Sequence, residues 1–384
     1  MTSKARGRGQ IDSNRWRLLR INVLPKYVHF VVVVWSVVAA KSCWQSSTTS
    51  TLFANAFTLI TFDVDGTLVK GSGKAAENSA HARAFSYACG KVLGDGRNPV
   101  RPVAEALSRH EYHGSTDGLI LLRLARATLG IETEMVPPET LEQLFDTMYE
   151  YIHELTDEEI AAGIQPLPGV LDTLKTLASM QQEQQQQIIV TSSSSSPKIA
   201  CGLVTGNVEG IARRKMKAVG ILDTGALAPP FIVEQGQKSW KGADDIGFLG
   251  GFGSDYCSRN IRDPARNYLD RGEQIVIAAQ RCRAMLKNDG TDAHDDRSVT
   301  VLSRVVHVGD APADVLAAKA YSEGKLDGEQ PNEDLCIGMV AVATGSYSAE
   351  QLREAAGTPI PGRWEPVILE KGMADPNFIN ACGI

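Results

Sequence analysis

Apolar residues recur along this chain with two different periods. Leu59, Ile60, Phe62 and Val64 make a short apolar run with the length of a buried strand. Three further runs, "IACGLVTG" (199–206), "VLSRVVHVGD" (301–310) and "CIGMVAVATG" (336–345), suit strands buried on both faces of a parallel sheet. Between the first and second runs the period changes. Within 75–163, "AAENSAHARAFSYACGKVLG", "TDGLILLRLARATLG" and "PETLEQLFDTMYEYIHELTDEEIAAG" repeat apolar residues every three or four positions, which predicts amphipathic helices. Gly130 and Gly163 stand where helix C-caps belong. From "QPLPGVLDTLKTLASM" (165–180) onward, helices alternate with strands. The pattern predicts an α/β fold, a doubly wound parallel sheet with an α-helical domain inserted after its first strand.

On this reading 58–72 and 164–384 form the core, and 73–163 the helical insertion. The Gln- and Ser-rich stretch 181–198 is expected to be a solvated loop, since such tracts bury little. Stretches 288–298 and 323–334 read as two more surface insertions, and His294 among its aspartates fits an exposed acidic loop better than a metal site.

Residues 1–57 stand apart. Lys4, Arg6, Arg8, Arg15, Arg17, Arg20 and Lys26 precede the apolar run "YVHFVVVVWSVVAA" (27–40), which ends on the small residues Ala39 and Ala40. That is the layout of a secretory signal peptide. The run is short beside the roughly 20 residues of a membrane span; an uncleaved signal anchor is the alternative, and the sole membrane contact expected. "ANAF" (54–57) resembles the cleavage context of bipartite plastid signals in algae with complex plastids. The expected destination is the secretory pathway or an organelle, a plastid included.

Composition narrows the function. An apolar fraction of 43% with 22% charged residues is that of a globular chain. Net charge is −6 with no basic stripe along the body, which argues against nucleic acid as a partner. Seven scattered cysteines without a CxxC pair suggest neither a disulfide framework nor a zinc site.

Three predicted strand ends carry the chemistry. "FDVDGTL" gives Asp63 and Asp65, two apart, and Gly66 permits a sharp turn before Thr67. "LVTGN" presents Thr205 and the Gly206 amide; "VVHVGDAPADVLAAKA" sets Asp310 and Asp314 about a turn into a helix. Ligands of open parallel sheets bind beyond the carboxyl ends of the strands, where these groups converge. Four carboxylates in one crevice repel one another unless a divalent cation sits among them, and hard oxygen donors suit Mg²⁺.

The segments "DVDGTL", "VTGN" and "GDAPAD", in that order and each closing an apolar strand, resemble motifs I, II and IV of the haloacid dehalogenase-like hydrolases. The resemblance spans 58–384 and implies a Rossmann-like core with a C1 helical cap at 73–163. It also implies a role for each matching position. Asp63 would attack phosphorus as the nucleophile, and Asp65 would serve as general acid and base. Mg²⁺ would be held by Asp63, the Asp65 carbonyl oxygen, Asp310 and Asp314. Gly66, Thr67, Thr205, Gly206 and Asn207 would surround the phosphoryl group. The cation of motif III is expected within or near "GGFGSDYCSRNIRDPARNYLDRGEQIVIAAQRC" (250–282), where Arg271 fits best because it opens a helical run; Arg259, Arg266, Lys238 and Lys241 are alternatives. "HGSTDGLILLRL" (113–124) resembles the "GxTD" turn of phosphoglycolate phosphatase-like members, with Thr116 and Asp117 expected to cap a helix and Arg123 and Arg126 to face solvent.

These roles describe a Mg²⁺-dependent phosphatase of a small phosphorylated metabolite. A phosphosugar mutase keeps the same motifs and is the alternative. Dehalogenation needs no acid at Asp65, and a phosphonate hydrolase would need Lys74 or Lys91 as a Schiff base. A non-catalytic interaction protein on the same fold is the reading from a different class.

Overall fold

The computed structural model describes residues 56–71, 79–95, 99–190, 198–227, 249–288 and 300–384. The signal-like segment up to residue 55, His294, Lys74, Lys238 and Lys241 lie outside these residues. In chain order, β1 (Ala56–Phe62) and β2 (Val69–Gly71) lead into α1 (Ala80–Val92), α2 (Asp117–Leu129), α3 (Pro138–His153) and α4 (Asp157–Ala161). The chain returns through β3 (Ile164–Pro166), α5 (Val170–Val190), β4 (Lys198–Thr205) and α6 (Glu209–Ala218). Next come β5 (Gly250–Phe252), α7 (Arg266–Asn288), β6 (Val301–Gly309) and α8 (Pro312–Ser322). β7 (Cys336–Val342), α9 (Ala349–Ala356) and β8 (Trp364–Leu369) follow, and a short helix (Phe378–Ala381) comes after β8.

Six strands form one parallel sheet in the order β5-β4-β1-β6-β7-β8, while β2 and β3 pair antiparallel. The strand order runs outward from β1 in both directions, so successive connections diverge there. That divergence opens a crevice at the carboxyl end of β1. Both faces of the sheet are covered. Ile60 and Phe62 pack on one face with Leu174 and Leu177 of α5; Phe57 and Leu59 pack on the other with Ile275 of α7 and Val315 of α8. The alternation has a period of two, yet every position is buried, which is why β1 reads as a continuous apolar run.

Helices α1–α3 share a third core built on Phe85, Leu121, Leu144 and Met148, to which Val208 and Ile211 beside and in α6 contribute. The helical block is therefore bound to the sheet region by apolar contact. One expectation fails. The Gln-rich stretch is helical as far as Val190, because α5 runs on through it. Glutamine is a good helix former, and a polar run can extend an already anchored helix at little cost. The Gln184 side chain also accepts a hydrogen bond from the Ile199 amide at 2.9 Å.

Leu59 is fully buried in the central strand, whereas Val301 at the start of β6 is 51% exposed. Leu59→Ala is expected to cost about 2–5 kcal/mol in urea unfolding, and Val301→Ala within about 0.5 kcal/mol. Equal losses at the two positions would contradict this assignment of the core.

Candidate active site

The end of β1 turns sharply at Gly66, which adopts a φ of +94°. The turn is pinned by Thr344, whose hydroxyl donates to the Gly66 carbonyl at 2.8 Å. Asp63 continues the strand, its amide donating to the Val308 carbonyl of β6 at 2.8 Å. Asp310 and Asp314 follow β6 on the turn into α8 and on its first turn. Oxygen atoms of Asp63, Asp310 and Asp314 lie within 4.8 Å of one another, and all three residues are buried.

Arg271, on α7, is the cation facing them. Its Nη1 lies 2.5 Å from Asp63 Oδ1 and 3.0 Å from Asp314 Oδ1, and its side chain is 4% exposed. The alternatives for this role go elsewhere. Arg259 donates to the carbonyls of Thr133 and Val136, and Arg266 pairs with Asp263 and Asp327.

One guanidinium does not balance three buried carboxylates. Burial pushes the Asp63 carboxyl up to about 7 against the pull of Arg271, with Asp314 and Asp65 adding to the rise. Asp310 is raised well above the usual carboxylate range by burial and then by Asp314 and Asp63. Asp314 ends below that range, because Arg271 and then His307 outweigh its burial. Two carboxylates held partly neutral beside one another make a donor set short of positive charge, and a divalent cation fits that deficit and the hard oxygen chemistry. The space around Asp310 is shaped for close approach. A Cβ on Gly345 would lie 1.6 Å from Asp310 Oδ2, and one on Gly66 would lie 2.3 Å from it.

Asp65 stands apart from this cluster. Lys215 of α6 contacts both its oxygens, at 3.0 and 2.8 Å, and the Asn207 amide donates to it at 3.0 Å. Half of the Asp65 side chain is open to solvent. Burial opposes ionisation, but Lys215 prevails and holds the carboxyl at about 2.

The other expected residues divide. Thr205 is fully buried at the end of β4, where its hydroxyl accepts from the Asn207 amide at 3.3 Å. Gly206 is required by crowding, since a Cβ there would meet the Ser115 carbonyl at 2.5 Å and Arg271 Nη2 at 3.2 Å. Thr67 donates to Asp310 Oδ1 at 3.4 Å. The Asn207 side chain is committed to Asp65 and Lys215.

Of the expectations about the helical block, Thr116 and Asp117 do stand at the start of α2, but their side chains and that of Arg123 are placed differently from expected. Thr116 occupies the N-cap position of α2 without making a capping bond. Asp117 spends Oδ2 on the Val208 amide at 2.9 Å and on His81 at 3.0 Å. Arg123 is 6% exposed rather than solvated, and donates to Ser115 and Asn267 at 2.9 Å each. Its guanidinium is consumed in tying the 113–117 turn to α7. Sequence reasoning also missed Lys215, Gly345 and Thr344. Lys215 had a signal in its i+4 spacing from Ile211, a buried position of the same helix.

The haloacid dehalogenase-like hydrolase family matches residues 57–226. No curated protein sequence matches the chain. Among solved structures, a hydrolase from Pseudomonas syringae is similar at 17% identity and a TM-score of 0.38, over 84% of this chain and 98% of that one. A candidate phosphoglycolate phosphatase from Lactobacillus delbrueckii subsp. bulgaricus follows at 15% and 0.31, over 83% and 95%. An archaeal β-phosphoglucomutase from a hyperthermophilic Pyrococcus follows at 13% and 0.29, over 78% and 90%.

The raised carboxylates make a prediction with a definite sign. Between the ordinary value of 3.8 and about 7, folded Asp63 keeps a proton that the unfolded chain has released. Stability contributed this way is complete below the lower value and is lost as pH rises through the upper one. Asp310 acts in the same direction. Asp65 and Asp314 are shifted downward, so their contribution is lost only as pH falls below 3.8. Metal-free protein is therefore expected to melt at a higher temperature at about pH 5 than at about pH 8. A divalent cation should narrow the difference. A melting temperature that climbs across this window in chelator would contradict the charge deficit.

Proposed function

We propose that the chain is a haloacid dehalogenase-like hydrolase, the family whose model matches residues 57–226, and that it acts as a Mg²⁺-dependent phosphomonoesterase on a small phosphorylated metabolite. The observation that carries this reading is the buried group of Asp63, Asp310 and Asp314 paired with Arg271, with Asp65 held separately. Asp63, Asp310 and Asp314 would hold the metal ion with the Asp65 carbonyl oxygen. When bound, the ion neutralises charge on the cluster and on the phosphoryl oxygens.

The chain's own groups then have distinct tasks. An Asp63 carboxylate oxygen forms a bond to phosphorus as the bond from phosphorus to the leaving oxygen breaks, giving an aspartyl-phosphate. A protonated Asp65 gives its proton to the leaving alkoxide, and as carboxylate takes one from the water whose attack on phosphorus breaks the bond to Asp63, releasing inorganic phosphate and the free carboxylate. That proton must come from solvent, because Lys215 favours the ionised form in the free protein. Arg271 opposes the rise in the Asp63 pKa and stabilises charge on the transferring group, with Thr205 and the Gly206 amide on the same side. The helical block α1–α4 serves as the cap, and its 114–117 turn lies against Gly206, where it excludes water and meets the leaving group.

Asp63→Asn is expected to lower turnover of p-nitrophenyl phosphate by at least about 1,000-fold, as loss of a covalent nucleophile does. Chelation of Mg²⁺ should abolish turnover in the wild type. Unchanged slow hydrolysis in the variant would overturn the nucleophile. Gly345→Ala forces Asp310 to move, so the Mg²⁺ concentration for half-maximal rate should rise about 10-fold or more. An unaltered metal requirement would remove Asp310 from the ligand set.

A further inference from the structure

Lys215 lies at the meeting point of the two halves of the molecule. It belongs to α6, on the sheet side, and its side chain is 6% exposed. An ammonium has three N–H donors, and here three side chains accept them. The Asp65 carboxylate takes one, at 2.8 Å to Oδ2. Asn207 Oδ1 takes another at 2.8 Å, and His81 Nδ1, from helix α1, takes the third at 3.1 Å. Because Nδ1 accepts, the His81 ring carries its proton on Nε2, which faces Asp117 Oδ2 at 3.0 Å. Asp117 is fixed in turn by the core, through the Val208 amide at 2.9 Å and through its own amide, which donates to the Gly206 carbonyl at 2.8 Å.

We infer that this chain of bonds is a latch between the helical block and the core, in which Lys215 is a positioning residue for Asp65. The inference rests on the phosphatase reading, since it gives Asp65 a leaving group to protonate. Asp65 sits on a turn and is half-exposed, so nothing in its own packing fixes the carboxylate. Lys215 and Asn207 hold it from one side. His81 completes the ammonium's bonding only when the helical block, whose α3 and α4 pack on α6, lies against the core. Withdrawal of the helical block would leave Lys215 one acceptor short and free to turn away. Closure and the alignment of the acid are thereby one event, with His81 as the contact that joins them.

The test compares two aryl phosphates of similar shape under saturating Mg²⁺. Nitrophenolate leaves p-nitrophenyl phosphate without needing a proton, whereas phenolate leaves phenyl phosphate only with help. Lys215→Met should lower kcat for phenyl phosphate about 100-fold, the size of a lost acid contribution, and for p-nitrophenyl phosphate less than about 10-fold. Lys215→Arg, which keeps the charge and donors, should recover most of the phenyl phosphate rate. His81→Ala should show the same selectivity in weaker form, together with faster amide hydrogen exchange across 113–118. Equal losses on both substrates in Lys215→Met, with no recovery in Lys215→Arg, would make Lys215 a structural ion-pair partner only and overturn the latch. Unchanged exchange and selectivity in His81→Ala would remove the helical block from it. Wild-type protein inert towards both substrates would overturn the phosphatase reading and the latch with it, while wild-type activity with an unselective variant defeats the latch alone.

Discussion

Three buried carboxylates facing one guanidinium set the terms for the rest of this molecule. Asp63, Asp310 and Asp314 come from two adjacent parallel strands, β1 and β6, whose ends the sheet brings together at the point where its strand order diverges. Like charges at such separations in a poorly solvated place do not persist without compensation. Arg271 supplies part of it, from the opposite wall on α7. Arg271 does not balance all three carboxylates, and a divalent ion would fit the remaining negative charge and the oxygen donors.

The surrounding structure is built to keep that cluster tight. Gly66 and Gly345 give up side chains so that backbone can close around Asp310. Thr344 ties the turn after β1 to the loop after β7. Behind Asp314 lies His307, fully buried, whose Nδ1 sits 3.0 Å from the Thr61 hydroxyl. Burial lowers the pKa of that imidazole. Its Nε2 lies 3.7 Å from Asp314 Oδ1, beyond hydrogen-bond distance. The two acidic groups of the first motif therefore live in different electrical surroundings two residues apart. Asp63 shares a carboxylate cluster, and Asp65 shares an ammonium.

What the sequence made legible follows from what each residue does locally. Strands β1, β4, β6 and β7 were readable because burial on both faces leaves uninterrupted apolar runs. Asp63, Asp65, Asp310 and Asp314 stood out because acids at the ends of such runs have no structural use. Arg271 was readable only as one of five cations, since what selects it is the direction in which α7 crosses the sheet. Lys215 was hidden for the same reason: a lysine in "ARRKMKA" looks like one more solvated charge until the fold brings Asp65 and His81 to it. Arg123 was misread because it has an ordinary surface explanation, and the side-chain role of Asp117 exceeds its place at the start of α2. The partners of Asp117, His81 and Val208, lie 36 and 91 residues away, and Asn267 lies 144 residues from Arg123. The Gln tract was misread in the opposite sense, since composition suggested a loop where an anchored helix simply continues.

The central claim is that the carboxylate cluster is a divalent-metal site. Calorimetric titration of Mg²⁺ into metal-free protein and into Asp310→Asn tests it without relying on any substrate. The account predicts saturable binding of one ion per chain in the wild type and its loss in the variant while the fold is retained. No binding to the wild type, or identical binding to both, would contradict it.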